Sequence, residues 1–324
     1  VWGTAEGAII DDNGQRLAGV PATISKIQRV EDQWVVGTDQ GVWSVASSTE
    51  RWTAQGPCGN FVTGITRHAG QLVMGTFSGG ACKLDDTVWT SLSLPSPMVN
   101  DVLSHQGDLW IATAEGLVRD DDQTYTAVVD KAPRSHPGTN HSGVNALAAG
   151  PSGLWVADVL GPVRVEPWRR YRWHVNGHTY QTIASCDDGE VWAGSEDDGL
   201  AVLGVEVGHR AGRSKWSEVN RLDGLPEDWI MAVACAGPGA AWVGTYRNGV
   251  GRYDAAGWHP ILEDAWVQAL LVDGDTLWIG TADGLYASTE EGVSLVYADD
   301  VHSLYKEDQT LWVGTRSGLV GLQG

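Results

Sequence analysis

The sequence predicts an all-β propeller, most economically of eight blades, occupying residues 1–324 as one domain. Three observations predict it. One polar–apolar unit recurs along nearly the whole chain, at the spacing of a four-stranded blade. Trp (17) and Gly (42) are abundant where Phe is scarce (2), which fits one aromatic reused at a fixed repeat position and many tight turns. No segment sustains a helical period, whereas alternation and β-branched residues are frequent.

The unit is visible when DGDTLWIGTADGLY (Asp273 to Tyr286), EDQTLWVGTRSGLV (Glu307 to Val320) and HQGDLWIATAEGLV (His105 to Val118) are compared. Each has a polar turn, an apolar pair with Trp, a small residue, usually Thr, a short turn, then Gly and an apolar residue. The small residue after the apolar pair falls at Gly3, Gly37, Gly75, Ala112, Ala157, Gly194, Gly244, Gly280 and Gly314, spaced by 34, 38, 37, 45, 37, 50, 36 and 34 residues.

Four strands per unit follow. An innermost strand a, of the form apolar-x-small-apolar in most units, precedes the polar turn and begins at Ile24, Val62, Val99, Val144, Tyr180, Ile230, Val267 and Val301. Strand b holds the Trp, strand c opens at the Gly-apolar pair, and strand d often carries a Trp among polar residues, as at Trp52 and Trp216. Asp-Gly pairs such as Asp188-Gly189 and Asp273-Gly274 suit the a–b turns, where positive φ is needed.

Nine small-residue anchors stand against eight innermost strands. The first, in Val1-Trp2-Gly3-Thr4, has no strand a before it, and the last unit ends without strand d. An open ring leaves unpaired edges, so residues 1 to about 20 are expected to supply the outer strand of the last blade. Nine blades would need a further innermost strand upstream.

These units resemble the two-component regulator propeller repeat, marked by a D-x-x-G-x-L-W-I-G-T-x-x-G-L stretch. The match is strong at Asp273 to Leu285 and Glu307 to Leu319, fair at His105 to Leu117 and Pro238 to Val250, and weak at Arg67 to Gly80. The resemblance implies the fold and, by analogy, an extracytoplasmic bacterial sensing module, periplasmic or extracellular, that recognises carbohydrate or another small ligand. No membrane span, kinase, cyclase or DNA-binding segment occurs in the 324 residues, so a receptor role requires further sequence.

Composition narrows the partners. A net charge of −20 repels phosphate backbones and anionic lipid, which argues against nucleic acid and lipid docking, and the lack of an 18-residue apolar run argues against a membrane-inserted helix. Cys58, Cys82, Cys186 and Cys235 show no CxxC spacing and are too few for a disulfide scaffold. Cys186 and Cys235 fall at equivalent ends of adjacent innermost strands. Such positions are expected to lie too far apart to bridge, and Cys58 and Cys82 are read the same way.

The strand-b tryptophans Trp110, Trp155, Trp192, Trp242, Trp278 and Trp312 recur at one position, so packing between blades explains them. Function is better sought at the mouth, where strand d passes into strand a. The residue after the first apolar position of strand a is polar and uncharged in most blades. Phe61, Met98, Trp229, Trp266 and Asp300 stand just before strand a, and the candidate ligand site is Asn100, Asn145, Gln181, Trp229, Trp266, Gln268 and His302. Two long insertions, about 120–143 and 205–228, are candidate partner-binding loops, the first through Arg134, His136, Asn140 and His141.

No nucleophile elbow, phosphate loop, HExxH helix or convincing carboxylate pair is present. The expectation is a non-catalytic recognition module without metal or cofactor, binding a small polar ligand or another protein chain. A scaffold subunit of a larger assembly is one alternative. A propeller lyase or glycosidase, built from distant carboxylates meeting in a central pocket, is the other.

Overall fold

The protein is described from a computed structural model. It describes the strands of residues 2–323 as backbone, and side chains for residues 58–85, 88–120, 143–159, 161–165, 178–204 and 216–323. Every described sheet is antiparallel, and all eight innermost strands begin at the residues the sequence indicates.

Seven sheets form the ring, not eight or nine. Blade 1 comprises Val62–His68, Gln71–Thr76, Gly80–Asp85 and Val88–Ser91 as strands a to d. Blades 2 to 6 repeat this order from Val99, Val144, Tyr180, Ile230 and Val267. Blade 7 has three strands, Val301–Glu307, Thr310–Thr315 and Leu319–Gln323. Residues 1–57 contribute a three-stranded sheet (Trp2–Gly3, Ala8–Ile10, Arg16–Gly19) and a four-stranded one (Ile24–Val30, Gln33–Thr38, Gly41–Ala46, Thr53–Gln55). The expectation that residues 1 to about 20 complete the last blade is therefore overturned. Those strands pair with one another, and strand a of blade 7 packs directly against strand a of blade 1.

The reason lies in the small anchor residue. Among the described residues, each strand-b anchor of the ring sits against the first residue of strand a in the next blade. A β-carbon on Gly75 would stand 2.4 Å from Val99, on Gly194 2.5 Å from Ile230, on Gly244 2.4 Å from Val267, and on Gly280 2.7 Å from Val301. Where alanine replaces glycine, Ala112 and Ala157 are buried in clusters with Val144 and Tyr180. Gly314 of blade 7 meets Val62 in the same way, at 2.7 Å. Blade 1 is thus the next blade after blade 7, and no eighth sheet fits between them. Ser303 Oγ donates to Val62 O at 3.3 Å, and Arg67 pairs with Glu307 across the same seam.

The strand-b tryptophans pack as expected. Trp110, Trp155 and Trp192 are buried against blades 3, 4 and 5, and Trp312 packs on Val62 and Leu72 of blade 1. Strand b is sandwiched between neighbours on both faces, so it reads as a continuous apolar run and not as an alternation. The Thr or Ser that follows the anchor holds the b–c turn. Its buried hydroxyl donates to the turn glycine's carbonyl in six blades, as in Thr245 Oγ1 to Gly249 O at 2.9 Å. The a–b turn glycines Gly189 and Gly274 take φ values of 92° and 57°, as the Asp-Gly pairs imply.

The cysteine reading is corrected. Cys58 bridges Cys82 and Cys186 bridges Cys235, with Cα separations of 5.8 and 5.6 Å. Cys186 and Cys235 stand at the ends of neighbouring innermost strands, which come close enough there to be bridged, whereas Cys58, before Val62, is tied to Cys82 on strand c of blade 1.

Candidate functional site

The candidate site is the mouth of the ring, and a repeated distortion builds it. Every innermost strand shifts register at its second residue, as between Val99 and Asp101 or Val301 and Ser303. A bulged residue leaves the ladder and its side chain is re-aimed. The candidate residues Asn100, Asn145, Gln181, Gln268 and His302 all occupy this position.

Their roles divide around the ring. In blades 1 to 3 the bulged side chain ties one blade to the next. Thr63 Oγ1 donates to Val99 O at 2.7 Å, Asn100 Nδ2 to Val144 O at 2.8 Å, and Asn145 Nδ2 to Tyr180 O at 2.8 Å. Asp101 belongs to the same stitching. Its carboxylate accepts from Val102 N at 2.8 Å and, one blade on, from Leu147 N at 2.9 Å, and burial raises it to about 7. In blades 4, 6 and 7 the bulged residue instead meets a mouth carboxylate. Gln181 donates to Glu196, Gln268 donates to Asp300, and His302 Nε2 lies 3.1 Å from Asp300 Oδ1. Burial holds the His302 pKa below the usual imidazole range, against the pull of Asp300.

A second ring lies above the bulges. The residue just before strand a accepts a hydrogen bond from the residue after the strand-b Thr position. This pairs Phe61 with Phe77, Met98 with Ala114, Gly143 with Val159, Thr179 with Glu196, Trp229 with Tyr246, Trp266 with Ala282, and Asp300 with Arg316, at 2.9–3.3 Å. The chemistry around this ring is uneven. Trp229 stacks on Tyr246 with centroids 4.2 Å apart, and Tyr246 meets Trp266 edge-on at 4.9 Å. Across blade 7, Phe61 lies 4.2 Å from the His302 ring and 5.2 Å from Phe77. Arg247 and Arg316, both exposed, sit over Tyr246 and Phe61.

The result is an arc over blades 5, 6, 7 and 1, with aromatic ends and a Gln268–Asp300–His302–Arg316 centre. Trp229, Trp266 and Phe77 remain 37%, 41% and 43% exposed although they are large and apolar. Of the sequence candidates, Trp229, Trp266, Gln268 and His302 fall in this arc, Gln181 stands apart on blade 4, and Asn100 and Asn145 are held between blades. Sequence reasoning missed Phe77, Tyr246 and Arg316. Their signal was a fixed repeat position, directly after the strand-b Thr.

The loop residues Arg134, His136, Asn140 and His141 lie outside the described residues. Of the second insertion, Trp216–Val219 is the outer strand of blade 4, and a short 3-10 turn, Arg221–Asp223, follows with Leu222 exposed. Among the described residues no group of three His, Cys, Asp or Glu is arranged to hold a metal, and no helix is long and apolar enough to cross a membrane.

These features define a seven-bladed β-propeller with a differentiated mouth. No family model matches the chain, and no curated protein does. Similar solved structures include virginiamycin B lyase from Staphylococcus aureus (TM-score 0.62, 16% identity, covering 81% of this chain and 94% of that one). They also include PorZ, a bacterial surface component of the type-IX secretion system of Porphyromonas gingivalis (0.62, 16%, 97% and 54%). A third is the extracellular domain of a one-component system from B. thetaiotaomicron (0.61, 13%, 96% and 54%). The chain thus spans about half the length of the last two. At these identities the likeness establishes the fold.

Proposed function

We propose that the chain is a non-catalytic recognition module acting outside the cytoplasm, and that it binds a small polar ligand with a flat apolar face at the mouth arc. The observation that carries this is the exposed Trp229–Tyr246–Trp266 cluster beside the polar Gln268–Asp300–His302–Arg316 group. Exposed aromatic faces next to convergent hydrogen-bonding groups suit a ligand that is stacked on one side and held by its polar edge. Two disulfides support an oxidising compartment. The surface and extracellular roles named for two structural neighbours agree with that reading as analogy alone.

The test is a thermal-shift screen of oligosaccharides, small metabolites and short peptides. A compound that raises the melting temperature in the parent, and not after Trp229→Ala with Trp266→Ala, supports the reading. If no compound shifts the parent and a stable partner chain co-purifies from the native source, the scaffold reading replaces it.

The Asp300–His302 pair favours a second reading, proton transfer by a lyase-type enzyme. Turnover of a screened ligand that disappears in His302→Ala would establish it.

A further inference from the structure

Charge is distributed unevenly around the mouth. The described b–c turns (77–79, 114–115, 196–199, 246–249, 282–284 and 316–318) and the segments entering strand a (58–61, 92–98, 178–179, 220–229, 263–266 and 298–300) hold twelve Asp and Glu against three Arg. All of these acidic residues except Glu115 lie over blades 4 to 7, where the exposed tryptophans stand. Two of them repeat one placement: Glu227 is two residues before Trp229, and Asp264 is two residues before Trp266. Glu227 Oε2 accepts from Arg247 N at 2.8 Å and Asn248 Nδ2 at 3.3 Å, neither of which cancels its charge. Among the described residues no Lys, Arg or His side chain pairs with Asp264 or with the adjacent Glu263.

The chain's own cations show what such surroundings take. The Arg247 guanidinium lies 5.1 Å from the centre of the Tyr246 ring, and that of Arg316 lies 5.9 Å from the centre of Phe61. Each has a carboxylate close by, Glu227 at the backbone of Arg247 and Asp300 Oδ2 at 3.9 Å from Arg316 Nη1. A flat cation over an aromatic face, next to a carboxylate, is thus the arrangement at both ends of the arc. Trp229 and Trp266 offer the same two elements, and among the described residues no cation lies over either ring. Indole is the aromatic that holds a cation best.

Resting on the mouth as the binding site, we propose that the flat group laid on Trp229 and Trp266 is a planar cation, a guanidinium or an amidinium, whose charge is met by Glu227 and Asp264. An anionic ligand fits less well. Arg316 already faces Asp300, and the carboxylates of blades 4 to 7 set up a negative potential that an anion would have to enter. The same potential draws a cation towards the tryptophans.

Three probes of one shape separate charge from stacking: benzamidinium, benzamide and benzoate, each titrated into the full chain and followed by ligand-observed NMR. Benzamidinium is expected to bind about tenfold or more tighter than benzamide, with benzoate weakest. Asp264→Asn with Glu227→Gln keeps the shapes, and Asn tolerates the positive φ of 54° at position 264. It should weaken benzamidinium about fivefold or more and leave benzamide unchanged. Added salt should do the same to the unaltered protein, which needs no variant. A short arginine peptide, compared with its citrulline counterpart, identifies the source of the cation. If it binds more tightly than benzamidinium and the citrulline peptide does not, the group is a peptide side chain; if benzamidinium is the tighter, it is a free small molecule. Equal affinity for all three probes, lost after Trp229→Ala with Trp266→Ala, overturns the cation and leaves the mouth site standing. Benzamidinium binding that survives the loss of both tryptophans overturns the mouth site as well. Failure of both benzamidinium and the arginine peptide to bind at millimolar concentration also overturns the proposal.

Discussion

Gly314 faces Val62 so closely that a β-carbon on it would stand 2.7 Å from Val62 Cγ1, and this contact joins the last blade to the first. A larger side chain there has no room to move, since Ser303 Oγ lies on the other side at still shorter range. Gly314→Val is expected to destabilise the protein by about 1–3 kcal/mol in urea denaturation. Gly204→Ala, where a β-carbon meets nothing within 4 Å, should stay within about 0.5 kcal/mol of the parent. Equal denaturation midpoints for the two would remove blade 1 from its place beside blade 7.

The mouth and inter-blade tryptophans should separate cleanly. Trp229→Ala with Trp266→Ala removes exposed surface and leaves the buried clusters intact, so the fold should hold while ligand-induced stabilisation is lost. Trp110→Ala empties a site buried between blades 2 and 3, and should cost about 3–5 kcal/mol. Circular dichroism melts of both variants are the measurement. A mouth variant that unfolds as early as Trp110→Ala would mean that those rings are core.

Asp101 gives the stability a pH dependence of known direction. Its folded pKa, about 7, lies above the ordinary value of 3.8, so the folded state holds the proton more tightly. This contribution is fully present at low pH and declines as pH rises from about 4 to about 7. Asp101→Asn cannot ionise and loses one acceptor for the Val102 or Leu147 N–H, which should cost about 1–3 kcal/mol near pH 4. Because only the parent weakens with rising pH, the gap between the two melting curves should narrow towards neutrality. A gap that is constant from pH 4 to 7 would show that the carboxyl titrates normally.

The bridge between Cys186 and Cys235 spans 49 residues and fastens blade 4 to blade 5. Replacing both cysteines by Ser is expected to lower stability by about 3–4 kcal/mol, from the loop entropy returned to the unfolded chain. Denaturation with and without reductant measures it. An unchanged parent midpoint in reductant would mean that the cysteines are not bridged in solution.

The blade pattern was legible because its causes are local. A small residue before Thr, a Gly before strand c and a polar a–b turn each answer a constraint within one repeat or with its immediate neighbour. All eight innermost strands could therefore be placed from Ile24 to Val301. Ring size was not legible, because the fit of Gly314 to Val62 is the same as that of Gly280 to Val301, and nothing in either repeat says which neighbour comes last. The mouth was half legible. Trp229 and Trp266 stand out as aromatics before strand a, whereas Tyr246 and Arg316 look like ordinary turn residues until the backbone bonds to Trp229 and Asp300 pair them. Asn100 and Asn145 looked like lining, and their use as inter-blade ties depends on the bulge that aims them.

Seven repeats of one backbone motif would, if filled alike, offer a visitor seven equivalent ways to sit. The paired positions above the bulges break that equivalence: aromatic on blades 5 and 1, Trp266 with Ala282 on blade 6, ionic on blade 7, and Thr179 with Glu196 on blade 4. A molecule lying on Trp229 and Trp266 meets Asp300 and Arg316 on one flank and Thr179 and Glu196 on the other, so rotation by one blade is not a neutral move. The rotational symmetry of the scaffold is thereby reduced to a single orientation at its mouth.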